Sequence, residues 1–130
     1  MSDDTPEFTE KSVDELVDIA RSCRREIVKM VKRANAGHPG GSLSVIDLIV
    51  GLYGRTLRVS PTEPKHPGRD RLILSKGHAS PAMYAALHAF GFLDETDLHS
   101  YRMFNGICQG HVDSKWTPGV DFSGGSLGMG

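Results

Sequence analysis

Histidine directly follows glycine at Gly37-His38, Gly77-His78 and Gly110-His111, and a further glycine cluster runs from Gly124 to Gly130. A glycine beside an imidazole lets the backbone turn and approach a ligand closely, while the ring supplies hydrogen bonds and proton exchange near neutral pH. The chain has six histidines, of which composition alone places about one after a glycine. If His38, His78 and His111 converge, one chemistry open to them is a tri-histidine zinc site. No His-x-His or His-Glu-x-x-His pair anchors a metal, however, and no acidic residue is evidently placed to orient the rings. Loop-borne neutral imidazoles are better suited to polar contacts with a sugar phosphate or a cofactor.

Other polar residues carry weaker signals. His66 falls in a proline-rich loop, and His88 and His99 fall on helices, where ordinary structural roles suffice. Asp47 can serve a helix dipole or a ligand, and Asp113 can orient an imidazole or bind a sugar hydroxyl, although a loop aspartate is usually solvated. Gly124 to Gly130 is neither a Walker loop, since no Gly-Lys-Ser/Thr follows, nor a dinucleotide fingerprint, since no strand precedes it.

Positioning these residues requires a scaffold. Leu16, Ile19, Ala20, Cys23, Ile27, Met30, Val31 and Ala34 recur at helical spacing, with Ser12 and Glu15 as a capping box and Asn35 and Gly37 as the stop. The loop Gly37 to Ser42 is expected to break the helix, and Ser44 to cap a second, buried helix from Val45 to about Tyr53. After the proline- and glycine-rich segment 61–68, Arg71 to Ser75 reads as a short strand of a covered parallel sheet. Ser80 is expected to cap a third helix with Pro81 in its first turn, reaching Phe90 and stopping at Gly91. His78 then lies on a strand-to-helix turn, the edge of an open α/β sheet where ligands bind. A fourth helix, capped by Asp94 or Thr96, runs to about Met103, and the remainder is loop. One strand does not make a sheet and a glycine loop needs scaffold on both sides, so a larger fold is expected, with residues 1–11 a polar lead-in and 12–130 an incomplete domain.

Bulk composition excludes several classes. The 130 residues carry 15 basic and 16 acidic side chains, a formal charge of -1, which does not mark a partner of nucleic acid or of an anionic membrane. Arg55 to Lys76 is mildly basic and reads as a solvated loop surface, with a phosphate-facing segment as the alternative. Cys23 and Cys108 form no disulfide framework, which fits a reducing cytoplasmic setting. No secretory h-region is present, nor a run near the roughly 20 apolar residues that span a bilayer, so a soluble, untargeted chain is expected.

The motifs Lys32-Arg33-Ala34-Asn35-Ala36-Gly37-His38-Pro39-Gly40-Gly41-Ser42, Arg69-Asp70-Arg71-Leu72-Ile73-Leu74-Ser75-Lys76-Gly77-His78-Ala79, Gln109-Gly110-His111 and Pro118-Gly119-Val120-Asp121 to Gly130 resemble transketolase in order and spacing. The wording is closer to the N-terminal subunit of two-subunit transketolases. The resemblance implies an α/β thiamine diphosphate-binding fold, a parallel sheet with helices on both faces, of which this chain holds the N-terminal helical part plus the first strand. It implies transfer of a two-carbon ketol unit between sugar phosphates by a cytoplasmic enzyme, with a C-terminal subunit or second protomer as partner. It places His38 and His111 at substrate hydroxyls, His78 at the cofactor diphosphate, and Gly125 and Leu127 against the cofactor ring. Magnesium ligands are expected in downstream sequence, so the 130-residue chain alone is expected to be inactive. Gly124 and Met129 stand where the family usually has Thr and Gln. The Gly-His-Pro-Gly wording disfavours a 1-deoxy-xylulose-5-phosphate synthase, and a second reading is a non-catalytic chain that binds a partner subunit.

Overall fold

The computed structural model describes residue 6 and residues 10–126. Three helices pack on one another: α1 (Val13–Ala34), α2 (Pro39–Arg55) and α3 (Ser80–Ala89), the last entered through a 3₁₀ turn at Gly77–Ala79. A short α4 (Glu95–His99) follows.

The start of α1 is held as its sequence predicts. Ser12 Oγ accepts the Glu15 N–H while the Glu15 carboxylate accepts the Ser12 N–H, which lowers the glutamate's pKa, chiefly through the Ser12 backbone bond. Asn35 ends the helix in the left-handed region at φ 50. One stripe, Ala20, Cys23, Ile27 and Met30, is buried. On α2 the buried stripe is Ile46, Ile49, Val50 and Tyr53. At Gly54 a Cβ would lie 2.2 Å from Leu16 Cδ2, so α1 and α2 pack closely there and a larger residue would push the Leu16 side chain aside. From Ser80 to Leu87 every residue of α3 is buried, and Ala82, Ala85 and Ala86 keep its flanks thin enough for close packing by its neighbours.

Four expectations about elements are revised. The second helix begins at Pro39, not Val45: proline is tolerated in a first turn because its missing N–H has no helical partner there, so the Gly-rich motif forms the opening of α2. Ser44 lies inside that helix and donates back to Gly41 O at 3.0 Å. Ser80 is not a cap either, because the 3₁₀ turn shifts the N-cap position to Ala79 and frees the Ser80 hydroxyl to donate to Gly110 O at 2.6 Å. The fourth helix stops at His99, well before Met103, since Ser100 Oγ turns back to Asp97 O and Arg102 takes φ 56.

The remaining revision concerns the strand. Among the described residues none is in a β-ladder, and Arg71 to Ser75 carries no regular structure. Burial nonetheless alternates there, with Leu72 half-buried, Ile73 57% exposed and Leu74 buried. That period-two pattern is the side-chain signature of a strand, whereas the ladder itself requires a neighbour.

The loops after α4 fold back over α3. Tyr84 OH donates to Gln109 O, Thr117 Oγ1 donates to Ile107 O, and Arg102 N–H donates to Cys108 O at 2.9 Å. Arg69 reaches Asp121 Oδ1 through Nε at 3.0 Å and Nη2 at 2.7 Å, a nearly buried pair that joins the loop before Gly77 to the segment before Gly124.

Candidate functional site

The Gly-His turns are brought together, each by a different device. His38 is the residue before α2, His78 sits in the 3₁₀ turn before α3, and their ring centroids lie 5.5 Å apart, edge to face at 80°. His111 arrives from the far loop, which α3 holds by the Ser80 and Tyr84 hydrogen bonds to Gly110 O and Gln109 O. A Cβ on Gly77 would lie 2.7 Å from His111 Cδ2, so His111, Gly77, His78 and His38 form a row of neighbours. His38 and His111 are exposed and His78 is half-buried.

The glycine cluster closes onto the same row. Gly77 N–H donates to Gly125 O at 2.7 Å, and Gly124 N–H donates to Val112 O at 3.2 Å. The fit is too tight for side chains: a Cβ on Gly77 would meet Gly124 O at 2.2 Å, and one on Gly125 would meet Gly77 N and Leu74 O at 2.7 Å. Gly124 has φ +109, a conformation strained for threonine, so its departure from the usual family residue suits this backbone. Leu127, predicted to touch a cofactor ring, lies outside the described residues, as does Met129.

Sequence reasoning gave Lys76 and Gly41 no part in the site and read Ser44 only as a helix cap, yet all three join the row. Lys76 Nζ donates to Gly41 O at 2.9 Å and to Ser44 Oγ at 3.0 Å. A Cβ on Gly41 would lie 3.0 Å from His78 Nε2. No local pattern could reveal a bond that spans 35 residues. The adjacency of Lys76 to Gly77-His78 was the one available hint.

Several alternatives resolve into structural roles. Asp47 pairs with Arg24 of α1 at 2.6 Å. Asp113 accepts from Lys115 N–H and Ser123 Oγ, shaping its own turn. His66 accepts from Gly68 N–H, His88 meets Leu93 O and Glu95, and His99 also faces Glu95. Burial pushes both thiols up to about 12, so Cys23 and Cys108 are poor nucleophiles near neutral pH. Burial likewise raises the Tyr84 hydroxyl, which keeps it protonated as a donor. Among the described residues no group of His, Cys, Asp or Glu is arranged to hold a metal ion. A cleft of about 560 Å³ bordered by Lys65, Lys115, Trp116 and the Arg69–Asp121 pair contains none of the three histidines.

Residues 15–130 match the model of the transketolase thiamine diphosphate binding domain, and the chain belongs to that family. It is 42% identical over 123 residues to a transketolase of Aquifex aeolicus, covering 94% of this chain and 18% of the relative. To the 6-deoxy-6-sulfo-D-fructose transketolase subunit SqwG of a Clostridium species it is 37% identical, covering 95% of this chain and 44% of that subunit. The crystal structure of transketolase from Campylobacter jejuni superposes with a TM-score of 0.82 at 35% identity, over 91% of this chain and 18% of that one. The chain therefore spans less than half the length of each of these relatives.

The row suits an anionic cofactor such as thiamine diphosphate. The first turn of α2 has no side-chain cap and is exposed at Gly40, which leaves backbone N–H groups there for an anion. The Lys76 ammonium is bonded to neutral acceptors, so its charge is not cancelled there. Cβ atoms on Gly40 and Gly124 would meet nothing within 4 Å, so the backbone is open to close approach at both positions.

Proposed function

We propose that this chain is the N-terminal, diphosphate-binding part of a transketolase-type enzyme that moves a two-carbon ketol unit between sugar phosphates. The observation that carries the reading is the convergence of His38, His78 and His111 on the Gly77–Gly125 contact. Thiamine diphosphate, when bound, supplies the carbon nucleophile that accepts and passes on the two-carbon unit. His78, beside the uncapped start of α2, faces the diphosphate. Gly125 and Leu127 are the residues assigned to contact with the cofactor ring. His38 and His111 are exposed rings that bind substrate hydroxyls and, as neutral imidazoles, exchange protons with them.

Residues 12–130 are the first part of an α/β domain in which Arg71 to Ser75 becomes a strand on pairing with a further segment; residues 1–11 lead into it. Magnesium is held by ligands beyond this sequence, and a C-terminal subunit or a second protomer completes the cytoplasmic enzyme. Among the described residues no helix is long and apolar enough to cross a membrane. In the assembled enzyme, His38→Ala, His78→Ala and His111→Ala are each expected to reduce ketol transfer by about a hundredfold or more, followed as kcat/KM for a ketose phosphate donor. Normal transfer by any one of them removes that histidine from the site. Calorimetry of the 130-residue chain with thiamine diphosphate and magnesium is expected to show no binding; tight binding removes the requirement for further sequence.

A further inference from the structure

We propose that Lys76 is a positioning residue that clamps the turn bearing His38 against the turn bearing His78. Its ammonium crosses from the entrance of the 3₁₀ turn to the first turn of α2 and donates to Gly41 O at 2.9 Å and to Ser44 Oγ at 3.0 Å. Ser44 Oγ donates to the same Gly41 carbonyl at 3.0 Å, so three polar groups close a ring between the two turns. The donor is an ammonium, which makes these charge-assisted bonds, stronger than neutral ones.

Gly41 is where the clamp meets the imidazoles. The His78 ring packs on its backbone, with Nε2 3.0 Å and Cδ2 3.2 Å from the position of a Cβ. His38 stands at the N-cap of the same helix and makes no side-chain cap bond, so its ring does not hold the helix start in place. The ammonium fixes the first turn of α2, and that turn sets the 5.5 Å spacing of the two rings. The stem of lysine is long enough to cross, and its rotatable donors serve two acceptors at once. Methionine keeps most of the stem and packing and removes the donors. Arginine keeps the charge in a planar fork that matches these acceptors less well.

The test has a structural and a catalytic arm, and only the second rests on the transketolase reading. In the 130-residue chain with labelled histidine, the unmodified protein shows a nuclear Overhauser contact between the His38 and His78 ring protons. In Lys76→Met that contact disappears while helix content is retained, and Lys76→Arg restores part of it. Ser44→Ala, which leaves the ammonium and removes one acceptor, weakens it. An undiminished ring contact in folded Lys76→Met overturns the clamp. Should Lys76→Met lose its helix content, an undiminished contact in Ser44→Ala overturns it instead. In the assembled enzyme, Lys76→Met lowers kcat about tenfold and raises KM for the sugar phosphates, because the displaced His38 ring both binds substrate hydroxyls and exchanges their protons. Loss of the ring contact with unchanged kcat supports the clamp and counts against ketol transfer at these histidines.

Discussion

Residues 13–89 and residues 100–126 are held by different means. In the first region three helices bury Ile27, Met30, Ile46, Met83 and Leu87 completely, and the packing continues all round α3. In the second, the chain has no helix or ladder; Tyr101, Cys108, Val112 and Val120 anchor it in the same core, and its course between them depends on particular tethers: Tyr84 to Gln109 O, Ser80 to Gly110 O, Thr117 to Ile107 O and Arg69 to Asp121. Apolar packing is spread over many contacts and tolerates adjustment, whereas a tether fails when one partner is removed. The histidines lie on the seam. His38 and His78 belong to helix starts, and His111 is delivered by the tethered loop, so the site needs both kinds of support.

The largest effect is expected in the helical region. Ile27→Ala empties a side chain with 0% exposure and lowers the unfolding free energy by about 4 kcal/mol in urea titration. A loss under about 1 kcal/mol would mean that this region is not the packed half. Next comes the strongest tether. Arg69→Ala leaves the Asp121 carboxylate, 9% exposed, without its guanidinium and costs about 3 kcal/mol. If that loss matched an exposed pair such as Arg24–Asp47, the loop region would owe little to its tethers.

Gly77→Ala acts at the seam itself. Its Cβ would press on Gly124 O at 2.2 Å and cost about 2 kcal/mol, and hydrogen exchange should quicken at the Gly77 amide, now bonded to Gly125 O. A protected amide in the variant would show that the glycine cluster can shift without leaving the row. Ser12→Ala removes the α1 cap for about 1 kcal/mol and should leave residues 100–126 unaffected, read as unchanged amide exchange there.

The cysteines sharpen the comparison with the smallest effect, since one lies in each region. Burial raises both from 9.0 to about 12, so the folded chain holds these protons more tightly than the unfolded one. Stability from this source is complete below about pH 9, falls as pH rises toward 12, and makes no slope near neutrality. Iodoacetamide should label Cys108 before Cys23, because a tethered loop opens locally at lower free energy than a helix core. Equal rates would erase the distinction between the regions.

Much of the scaffold was legible because its causes are local. The α1 cap, its buried stripe and its left-handed Asn35 stop follow from residues within a few positions of each other. The Gly-His pairs singled out the three histidines, and the resemblance gave them roles and set Gly125 against the cofactor ring. The helix starts were misread because proline in a first turn and proline in a loop look alike until the chain on either side is placed. Arg71 to Ser75 reads as a strand in the sequence, but a ladder is a property of two segments, and among the described residues this one pairs with none.

By itself, then, the sequence determined which segments are amphipathic, where glycine could admit a close approach, and which side chains could exchange protons. Those properties reside in single residues and short spacings. Only the tertiary structure decided that Gly77 must be glycine because Gly124 O passes beside it, that Lys76 ends on Gly41 O, and that Asp47 and Asp113 are occupied elsewhere. Such facts depend on contacts between residues far apart in the chain, which come into being when apolar burial closes the helices and brings the Gly-His turns to one seam.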